Sequence, residues 1–552
     1  MPAPDPNDTE NREIFDEVEY LRIHQDVAEA IRRGEVDSGY DHYVTFGVIE
    51  GRSLPSPTHE PRNRLLTSHV MVGAGPTHET RFSVDSLIVA PGGGLMIVGW
   101  INDAHDPVQC VRIAGAGWRI TIDRARFVRV RRQDVEQALD SHGQHPFGLF
   151  GFLHFDRVVD AYGPCVVEIW LAGGGSVTLP VTPLIVGDIE LRNIVLAHLG
   201  AASFAGNAQV ERIACLDHGF GEELIRFNKT LTRRMVSSPY VERFGPTRKT
   251  PRGTIVVCLY GRPEFQFLQN CLFAGLPGIE DYEFIYVSNS PEIGETLLRE
   301  ARSSTLLYGL PQSVMILAGN AGFSGANNAA AAIAQSGRIL AVNPDVFPRD
   351  LDWAKKHSDV LDGAPAERTR LFGVPLYYDD GSLMHGGMFI DADTGLSMAG
   401  GTPKARRVLR VEHFGKGAPG DATRFTRSRP VPAISGAFVS IDRAWFERLG
   451  GFSEDYLFGH YEDADLSLKS IAAGTVPWLH DIRMWHLEGK GSTRLPPHEG
   501  GSVVNRWLFS RRWSDLIEGG LKGPTPTYPT IDATAPEPRP ASRARAKASA
   551  AG

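Results

Sequence analysis

An acidic cluster at Glu462, Asp463 and Asp465 carries residue types that could move protons. It follows a predicted buried strand (437–441) and lies at the start of an amphipathic helix. Carboxylates this close repel one another unless a cation, a helix N-terminus or a reacting group compensates them. The cluster predicts either catalysis, with Asp463 as a general base, or side chains that only satisfy the helix end. We assign Asp465 to structure, as a surface partner of Lys469 one turn later.

Asp345 is a candidate ligand of a metal ion. Asp345 ends the predicted strand RILAVN in the sequence Asn343-Pro344-Asp345, and His486 follows a short strand much later in the chain. A carboxylate at a strand end is a hard oxygen ligand that suits Mg²⁺ or Mn²⁺ bound to phosphates. Taken alone, Asp345 is better explained by an Asx-turn, and His486 by a hydrogen-bonded core histidine.

Alternating strands and helices must position these residues. Apolar strands are predicted at 254–259, 283–287, 314–317 and 338–342, and each of the first three is followed by a helical pattern. Continuous apolar strands that alternate with helices predict a mostly parallel sheet covered on both faces. The region has no GxGxxG and no GxxxxGK[ST] motif, which counts against dinucleotide-binding dehydrogenases and P-loop kinases.

Ligands bind such sheets at the carboxyl ends of the strands. Several small or polar residues lie at those ends or in the helix after them. These candidate ligand-binding residues are Tyr260, Gly261, Ser288, Asn289, Asn320, Gly322, Asn327 and Asn343. A glycine-rich stretch at 411–425 is predicted to be a loop that either closes over the ligand or remains a long surface loop.

The rest of the chain has a different character. We predict a small helical module at 14–55, a linker at 56–63, an antiparallel sandwich-like β domain at 65–187, a helical connector at 188–249, an α/β domain at 252–520, and disordered ends at 1–13 and 523–552. The β domain either binds carbohydrate through Trp100, Trp118 or Trp170, or is a spacer with these tryptophans in its core, which we favour.

Composition excludes some classes of partner. The net charge is -8, so the chain lacks the global positive charge of a nucleic-acid binder. The five cysteines have no CxxC spacing, which favours reduced thiols. The sequence shows neither a signal peptide nor a long apolar run, and it predicts a cytoplasmic protein. A basic tail with Arg539, Arg543, Arg545 and Lys547 either touches the inner face of the membrane weakly or only aids solubility.

Several ordered motifs resemble those of bacterial family 2 glycosyltransferases. They are GFSGANNAAAAIAQSGRILAVNPDV, DDGSLMHGGMF, SGAFVSIDRAWFERLGGFSEDYLFGHYEDADLSLKSIAAG and WHLEGKGS, and the resemblance as a whole spans about 252–495. The resemblance implies a GT-A fold, a nucleoside-diphosphate sugar donor, a divalent cation (Mn²⁺ or Mg²⁺), and transfer to an acceptor hydroxyl with inversion. Separately, His42-Tyr43, Gly47 and Glu50-Gly51-Arg52 resemble an HYxxxGxxEGR module found in bacterial glycosyltransferases and surface proteins.

The resemblance also implies roles for single residues. Asp463 matches the family's base, Glu462 its acidic neighbour, Asp345 and His486 its metal ligands, and Tyr260 a wall of its nucleobase pocket. The chain departs from the pattern at two places. Asn343 replaces the first carboxylate of an Asp-x-Asp motif, and Ser288 stands where an acidic residue usually contacts the base.

The sequence therefore predicts an inverting, metal-dependent hexosyl- or deoxyhexosyltransferase of bacterial surface polysaccharide or glycoconjugate synthesis. Its acceptor would be a saccharide, a lipid-linked saccharide or a protein. Two alternatives stay open. A sugar nucleotidyltransferase would need a glycine- and lysine-rich phosphate loop, for which LYGRPEF offers only Arg262. The departure at Asn343 also allows a non-catalytic carbohydrate-binding protein with a degenerate GT-A domain.

Overall fold

The computed structural model describes residues 20–21, 24–33, 36, 38–42, 81–115, 118–140, 145–155, 163–204, 208–246, 250–397, 403–489 and 496–518. The chain divides into two compact units, 1–68 and 69–552. Some predictions fall outside the described residues: the ends at 1–13 and 523–552, the linker at 56–63, and the motif residues Tyr43, Gly47 and Glu50 to Arg52. No helix among the described residues has the length and apolar character needed to cross a membrane.

In the first unit, two helices are described, α1 (Gln25–Arg32) and α2 (Gly39–His42). The Tyr20 hydroxyl and His42 Nδ1 are 3.2 Å apart, and both residues are buried. This contact ties the two ends of the helical segment together.

The second unit begins with two mainly antiparallel sheets. Their strands are β1 Arg81–Ala90, β2 Gly94–Asn102, β3 Val108–Gly115, β4 Trp118–Asp123, β5 Val128–Val130, β6 Gly148–His154, β7 Cys165–Leu171, β8 Ser176–Val181 and β9 Leu184–Ile185, with helix α3 at Gln133–Ala138. The strand orders are β5-β6-β2-β1-β9 and β4-β3-β7-β8. Apolar residues of both sheets share one core. Trp100, Trp118 and Trp170 are half-buried, and Trp118 packs against this core.

Three helices follow, α4 Asp188–Ala201, α5 Ala208–His218 and α6 Gly221–Val236. Leu191 and Leu199 of α4 and Phe227 of α6 belong to the same buried cluster as Phe152 of β6 and Val256 of the α/β region. The predicted connector is thus a packed layer whose apolar side chains join the sheets on either side of it.

The α/β region carries the remaining elements. Its strands are β10 Tyr240–Phe244, β11 Gly253–Leu259, β12 Tyr282–Ser288, β13 Gln312–Ile316, β14 Arg338–Val342, β15 Val346–Pro348, β16 Leu371–Gly373, β17 Leu376–Tyr377, β18 Leu383–His385, β19 Met388–Ser397, β20 Lys404–His413, β21 Arg429–Pro430, β22 Phe438–Asp442, β23 Trp478–Leu479 and β24 Met484–His486. Its helices are α7 Glu264–Phe273, α8 Gly294–Tyr308, α9 Gly322–Ile333, α10 Trp353–Gly363, α11 Ala366–Thr369, α12 Thr423–Thr426, α13 Arg443–Arg448, α14 Glu462–Ala472 and α15 Pro496–Glu518.

The main sheet has the order β10-β13-β12-β11-β14-β22-β16-β23-β21. Its centre confirms the predicted parallel strands, because β11 pairs in parallel with β12 and β14, and β12 pairs in parallel with β13. Antiparallel pairs on both sides, such as β10 with β13 and β14 with β22, make the whole sheet mixed rather than mostly parallel. The fold is therefore mixed α/β.

Smaller sheets bring distant segments to one end of the main sheet. β15 pairs antiparallel with β24, with Val346 opposite His486. β19 and β20 form a long hairpin in register from Met388–His413 to Ser397–Lys404. This hairpin corrects the prediction of a loop beginning at 411, because strand pairing continues to His413.

Asp465 is fully buried, so its prediction as a surface residue is wrong. Its Oδ1 accepts hydrogen bonds from Arg512 (2.9 Å), the Trp513 indole (2.9 Å) and the Tyr456 hydroxyl (3.1 Å). Lys469 is still a partner, at 3.3 Å from Oδ2. Two of the four partners come from α15, which periodicity did not identify, so the buried carboxylate fastens α15 to α14.

We expect Asp465→Ala to lower the free energy of unfolding by about 3–5 kcal/mol, because it leaves buried donors and cations without their acceptor. Asp481→Ala is the matched control, since Asp481 pairs with Arg483 at an exposed site, where loss of an ion pair costs about 1 kcal/mol or less. Urea denaturation of both variants measures the difference. Equal, small losses of stability in the two variants would show that Asp465 does not fasten α15 to α14.

Candidate active site

A cavity of about 840 Å³ opens at the carboxyl end of the central strands. Residues that follow β11, β12, β13 and β14 form one side of it, and residues at the starts of α14 and α15 form another. The predicted site residues that line it are Tyr260, Asn289, Asn320, Asn343, Asp345, Glu462, Asp463 and His486. The fold therefore brings together side chains that are up to 226 residues apart in the sequence (260 to 486).

Four other candidates, Gly261, Ser288, Gly322 and Asn327, are absent from the cavity lining. Ser288 is fully buried, and its hydroxyl donates to the Ser290 carbonyl over 2.6 Å. Gly322 has φ +71°, and an added Cβ would lie 3.0 Å from the Phe458 carbonyl oxygen. This glycine thus allows the start of α9 to approach the turn before α14.

The Asn289 side chain is occupied by backbone contacts. Its Oδ1 accepts from the Ala321 N–H over 3.1 Å, and its Nδ2 donates to the Gly322 carbonyl over 3.1 Å. Because both ends of the amide bind the turn before α9, Asn289 shapes this wall of the cavity through the turn it holds.

Asp345 and His486 form a buried pair. Oδ1 of Asp345 and Nε2 of His486 are 3.3 Å apart. The backbone fixes this pairing, since the Leu487 N–H donates to the Asp345 carbonyl over 3.0 Å at the end of the β15–β24 ladder. His486 Nδ1 is buried without a hydrogen-bond partner in the described part of the chain.

The donor atoms of this pair fit a divalent cation. Neighbouring ligands of an octahedral ion at roughly 2.1 Å lie about 3 Å apart, close to the observed 3.3 Å. No group of three or more ligating side chains is found within the described ranges. A cation held here would therefore take its other ligands from phosphate oxygens and water.

Glu462 and Asp463 begin α14 with different surroundings. Asp463 is partly exposed to the cavity, and its two carboxylate oxygens accept 2.7 Å hydrogen bonds from the Gly436 and Ala464 N–H groups. Glu462 is 5% exposed, and its Oε2 has no partner among the described residues. Burial, then the charge of Asp463, raises the pKa of Glu462 to about 8. Burial also raises the pKa of Asp463, while its two backbone hydrogen bonds oppose the shift.

These shifts separate the two acids. Both bonds to Asp463 are donated to the ionised form. Glu462 also accepts backbone hydrogen bonds, but burial and the charge of Asp463 outweigh them, so it stays protonated at neutral pH. The pair therefore offers one carboxylate that can accept a proton and one neutral acid beside it.

The turn before α14 has strained backbone. Phe458, His460 and Tyr461 have φ of +57°, +82° and +75°, a region that non-glycine residues rarely adopt. Asn505 of α15, fully buried, holds this turn. Its Oδ1 accepts from the Leu457 N–H over 2.7 Å, and its Nδ2 lies 2.7–3.1 Å from three carbonyls of the turn. Strain persists only where surrounding contacts over-determine it, and one amide supplies four such contacts here.

Sequence reasoning missed several residues at this site. Two of them, Phe458 and His498, form an aromatic wall with the predicted Tyr260, and the His498 ring lies 4.8 Å from Phe458 and 6.0 Å from Tyr260. Arg192 of α4 lies behind Phe458, with its guanidinium carbon 4.6 Å from the ring centroid. No pattern in the sequence links these positions, because they lie in the predicted connector, in a turn and in an unpredicted helix.

Arg192 is a buried cation with unusual partners. It is 2% exposed, bonds to the amide oxygens of Asn228 (3.1 Å) and Asn193 (3.3 Å), and makes no ion pair within the described residues. Burial lowers its pKa to about 10, so it is still charged at neutral pH. Its positive charge lies directly behind the aromatic wall of the cavity.

Comparisons with known proteins give limited matches. No protein-family model matches the chain. A protein of Sinorhizobium fredii (strain NBRC 101917 / NGR234), named "Uncharacterized protein y4gI", is 28% identical over 194 residues. The match spans 35% of this chain and only 20% of that protein.

Three solved structures are similar in part. The structure of GalNAc-T7 with UDP, GalNAc and Mn²⁺ is 14% identical (TM-score 0.32), covering 48% of this chain and 49% of that one. The mannosyltransferase PcManGT of Pyrobaculum calidifontis, with GDP-Man and Mn²⁺, is 13% identical (TM-score 0.29; 57% and 88%). S. aureus TarS 1–349 is 12% identical (TM-score 0.29; 49% and 75%). TM-scores this low carry no argument about fold or function.

We expect Asn505→Leu to lower the free energy of unfolding by about 3 kcal/mol or more, because buried backbone groups of the strained turn lose their partner. Ser514→Ala on the same helix is the control, since the Ser514 hydroxyl donates to the carbonyl one turn earlier, and its loss should cost about 0.5 kcal/mol. Urea denaturation tests both. An Asn505→Leu variant as stable as the control would show that the amide does not hold the turn.

Proposed function

We propose that this chain is a metal-dependent glycosyltransferase that moves a sugar from a nucleoside-diphosphate sugar to an acceptor hydroxyl with inversion at the anomeric carbon. One observation carries the proposal. A single cavity contains the pair Asp345 and His486, the base candidate Asp463 and the polar ends of four strands. The ordered motifs of the sequence agree with this arrangement and support a role in bacterial surface polysaccharide or glycoconjugate synthesis.

The proposed donor extends across the cavity from its aromatic wall to its acidic end. The nucleobase stacks near Tyr260, Phe458 and His498, because planar rings pack favourably on aromatic side chains. The diphosphate then lies near Asp345 and His486. The chemistry that Mn²⁺ or Mg²⁺ supplies when bound there is neutralisation of the diphosphate leaving group. Arg192 adds a fixed positive charge behind the aromatic wall, which favours an anionic ligand.

Asp463 is the proposed base of a single displacement. It takes the proton of the acceptor hydroxyl while that oxygen bonds to the anomeric carbon. The bond from this carbon to the diphosphate oxygen breaks, and the nucleoside diphosphate leaves with the electron pair. The Gly436 N–H orients the carboxylate through its 2.7 Å bond to Oδ2. Protonated Glu462 avoids a second negative charge beside the base.

We expect Asp463→Asn to lower donor turnover by about 10²–10⁴-fold, because an amide cannot accept the proton. The measurement incubates UDP-, GDP- and dTDP-sugars with Mn²⁺ and detects the released nucleoside diphosphate. Thermal-shift binding of the donor should be retained. Asp481→Asn, at an exposed site, is the control. Turnover at the wild-type level in Asp463→Asn would rule out this base, and synthesis of nucleotide sugar from sugar phosphate and NTP would indicate a nucleotidyltransferase.

The raised pKa of Glu462 predicts a pH effect. Above about pH 8, Glu462 ionises and places a second charge beside Asp463, so we expect wild-type turnover to fall there. Glu462→Gln keeps the shape without the charge, and its pH–rate profile should lack this alkaline fall. An unchanged alkaline limb in the variant would assign the fall to another group.

Stability provides an independent readout for the same residue. Because the folded-state pKa of Glu462 is raised, its contribution to stability is present below the unfolded pKa of roughly 4.3 and is lost as the pH rises towards about 8. The stability of Glu462→Gln relative to the wild type should therefore increase over this interval, by up to a few kcal/mol. A difference that does not change with pH would contradict the buried, protonated state.

A further inference from the structure

A pair of histidines beside the cavity has no part in the mechanism above. His385, at the end of β18, is 1% exposed, and its Nδ1 lies 2.9 Å from Nδ1 of His413, the last residue of β20. The two rings meet edge to face with centroids 4.9 Å apart. His413 lines the cavity. A buried histidine therefore supports a second histidine that faces the ligand.

The hydrogen bonds fix the tautomer of both rings. The Gly387 N–H donates to Nε2 of His385 over 3.2 Å, so this nitrogen carries a lone pair. A neutral imidazole has one N–H, which places the hydrogen of His385 on Nδ1, where it donates to Nδ1 of His413. The hydrogen of His413 must then lie on Nε2. Burial lowers the pKa of both histidines, which agrees with two neutral rings.

His413 presents this N–H in a distinctive part of the cavity. Its ring has no hydrogen-bond partner other than His385 in the part of the chain that the structure describes. The negative charge of Asp463 acts on it, opposing the fall in its pKa. Met384 and Glu488 also line the cavity. Glu488 is held in place by the Tyr378 hydroxyl (2.6 Å) and by Lys416 (3.1 Å).

These groups match the chemistry of a sugar ring. Hydroxyl groups both donate and accept hydrogen bonds, so they can accept from His413 Nε2 and donate to the Glu488 carboxylate. The C–H faces of a sugar can pack on the apolar Met384 side chain. A flexible polypeptide acceptor would not require a donor, an acceptor and an apolar surface at these fixed positions.

We propose that the acceptor is a saccharide, and that His413 donates a hydrogen bond from Nε2 to an acceptor oxygen next to Asp463. This rests on the proposed function and identifies its acceptor. His413 contacts the substrate, whereas His385 is a positioning residue that sets the tautomer of His413. A neutral donor at this place orients the acceptor and leaves Asp463 as the group that takes the proton.

The test compares transfer with hydrolysis of the same donor. Methyl glycosides of glucose, galactose, mannose and N-acetylglucosamine serve as acceptor probes, and water is the competing acceptor. We expect His413→Leu to lower the ratio of transfer to hydrolysis on the order of tenfold. His413→Gln, which places an amide N–H near the position of Nε2, should keep most of the ratio. His218→Leu, the same change at an exposed histidine that ends α5, should not alter it.

The positioning role of His385 has its own variants. His385→Asn keeps a donor near the position of Nδ1, whereas His385→Gln keeps an acceptor near Nε2 for Gly387 and loses the donor to His413. We expect the Asn variant to retain more of the transfer-to-hydrolysis ratio than the Gln variant, at similar thermal stability. A purely structural role would reduce the ratio equally in both.

The outcomes separate this inference from the proposed function. An unchanged ratio in His413→Leu, or an equal loss with Leu and with Gln, overturns the role of His413. If the wild type hydrolyses a donor but neither glycosylates nor binds any of the glycosides by saturation-transfer NMR, the saccharide acceptor is overturned. If no nucleotide sugar is turned over, the proposed function fails. The NMR comparison of wild type and His413→Leu then decides the inference alone, since weaker glycoside binding in the variant supports it and equal binding refutes it.

Discussion

Burial of Glu462 directly beside Asp463 is the constraint on which the cavity depends. Two adjacent carboxyl groups cannot both ionise in such a place without compensation. The fold gives each oxygen of Asp463 a backbone donor, whereas Oε2 of Glu462 has no hydrogen-bond partner among the described residues. The fold thereby keeps Glu462 neutral and leaves Asp463 as the carboxylate that can accept a proton. The positive-φ turn that leads into α14 is part of the same arrangement, because it places the helix start against the cavity.

Helix α15 and the layer of α4 to α6 support that arrangement from outside the sheet. Asn505 of α15 holds the strained turn, and Arg512 and Trp513 of the same helix bind buried Asp465. Arg192 of α4 packs on Phe458 of the turn. Elements that the sequence analysis regarded as a connector, or did not detect, thus determine the shape and charge of the cavity. Their apolar side chains belong to the same buried core as those of the sheets. This packing fixes the helices relative to the residues of the cavity.

The backbone ladder between β15 and β24 provides a second support. It places Val346 opposite His486, so Asp345, one residue earlier, meets the end of the other strand. The hairpin of β19 and β20 likewise brings His413 to the cavity from a stretch whose glycines suggested a loop. In both cases the residue at the site is fixed by strand register rather than by its neighbours in the sequence.

The sequence alone determined the central parallel strands, because β11, β12 and β14 are continuous apolar runs bounded by turns. A buried strand has this pattern whichever strand it pairs with. It also determined that Asp345, Asp463 and His486 were candidates for one site, since ordered motifs carry them. Tertiary structure decided the rest. Burial and pairing set which acid is neutral, place Asp465 in the core and turn the Asn289 side chain to backbone contacts. They also bring His413 to the cavity, Arg192 behind its aromatic wall and Asn505 to the turn before α14. These properties depend on contacts between residues far apart in the chain, and no local pattern records them.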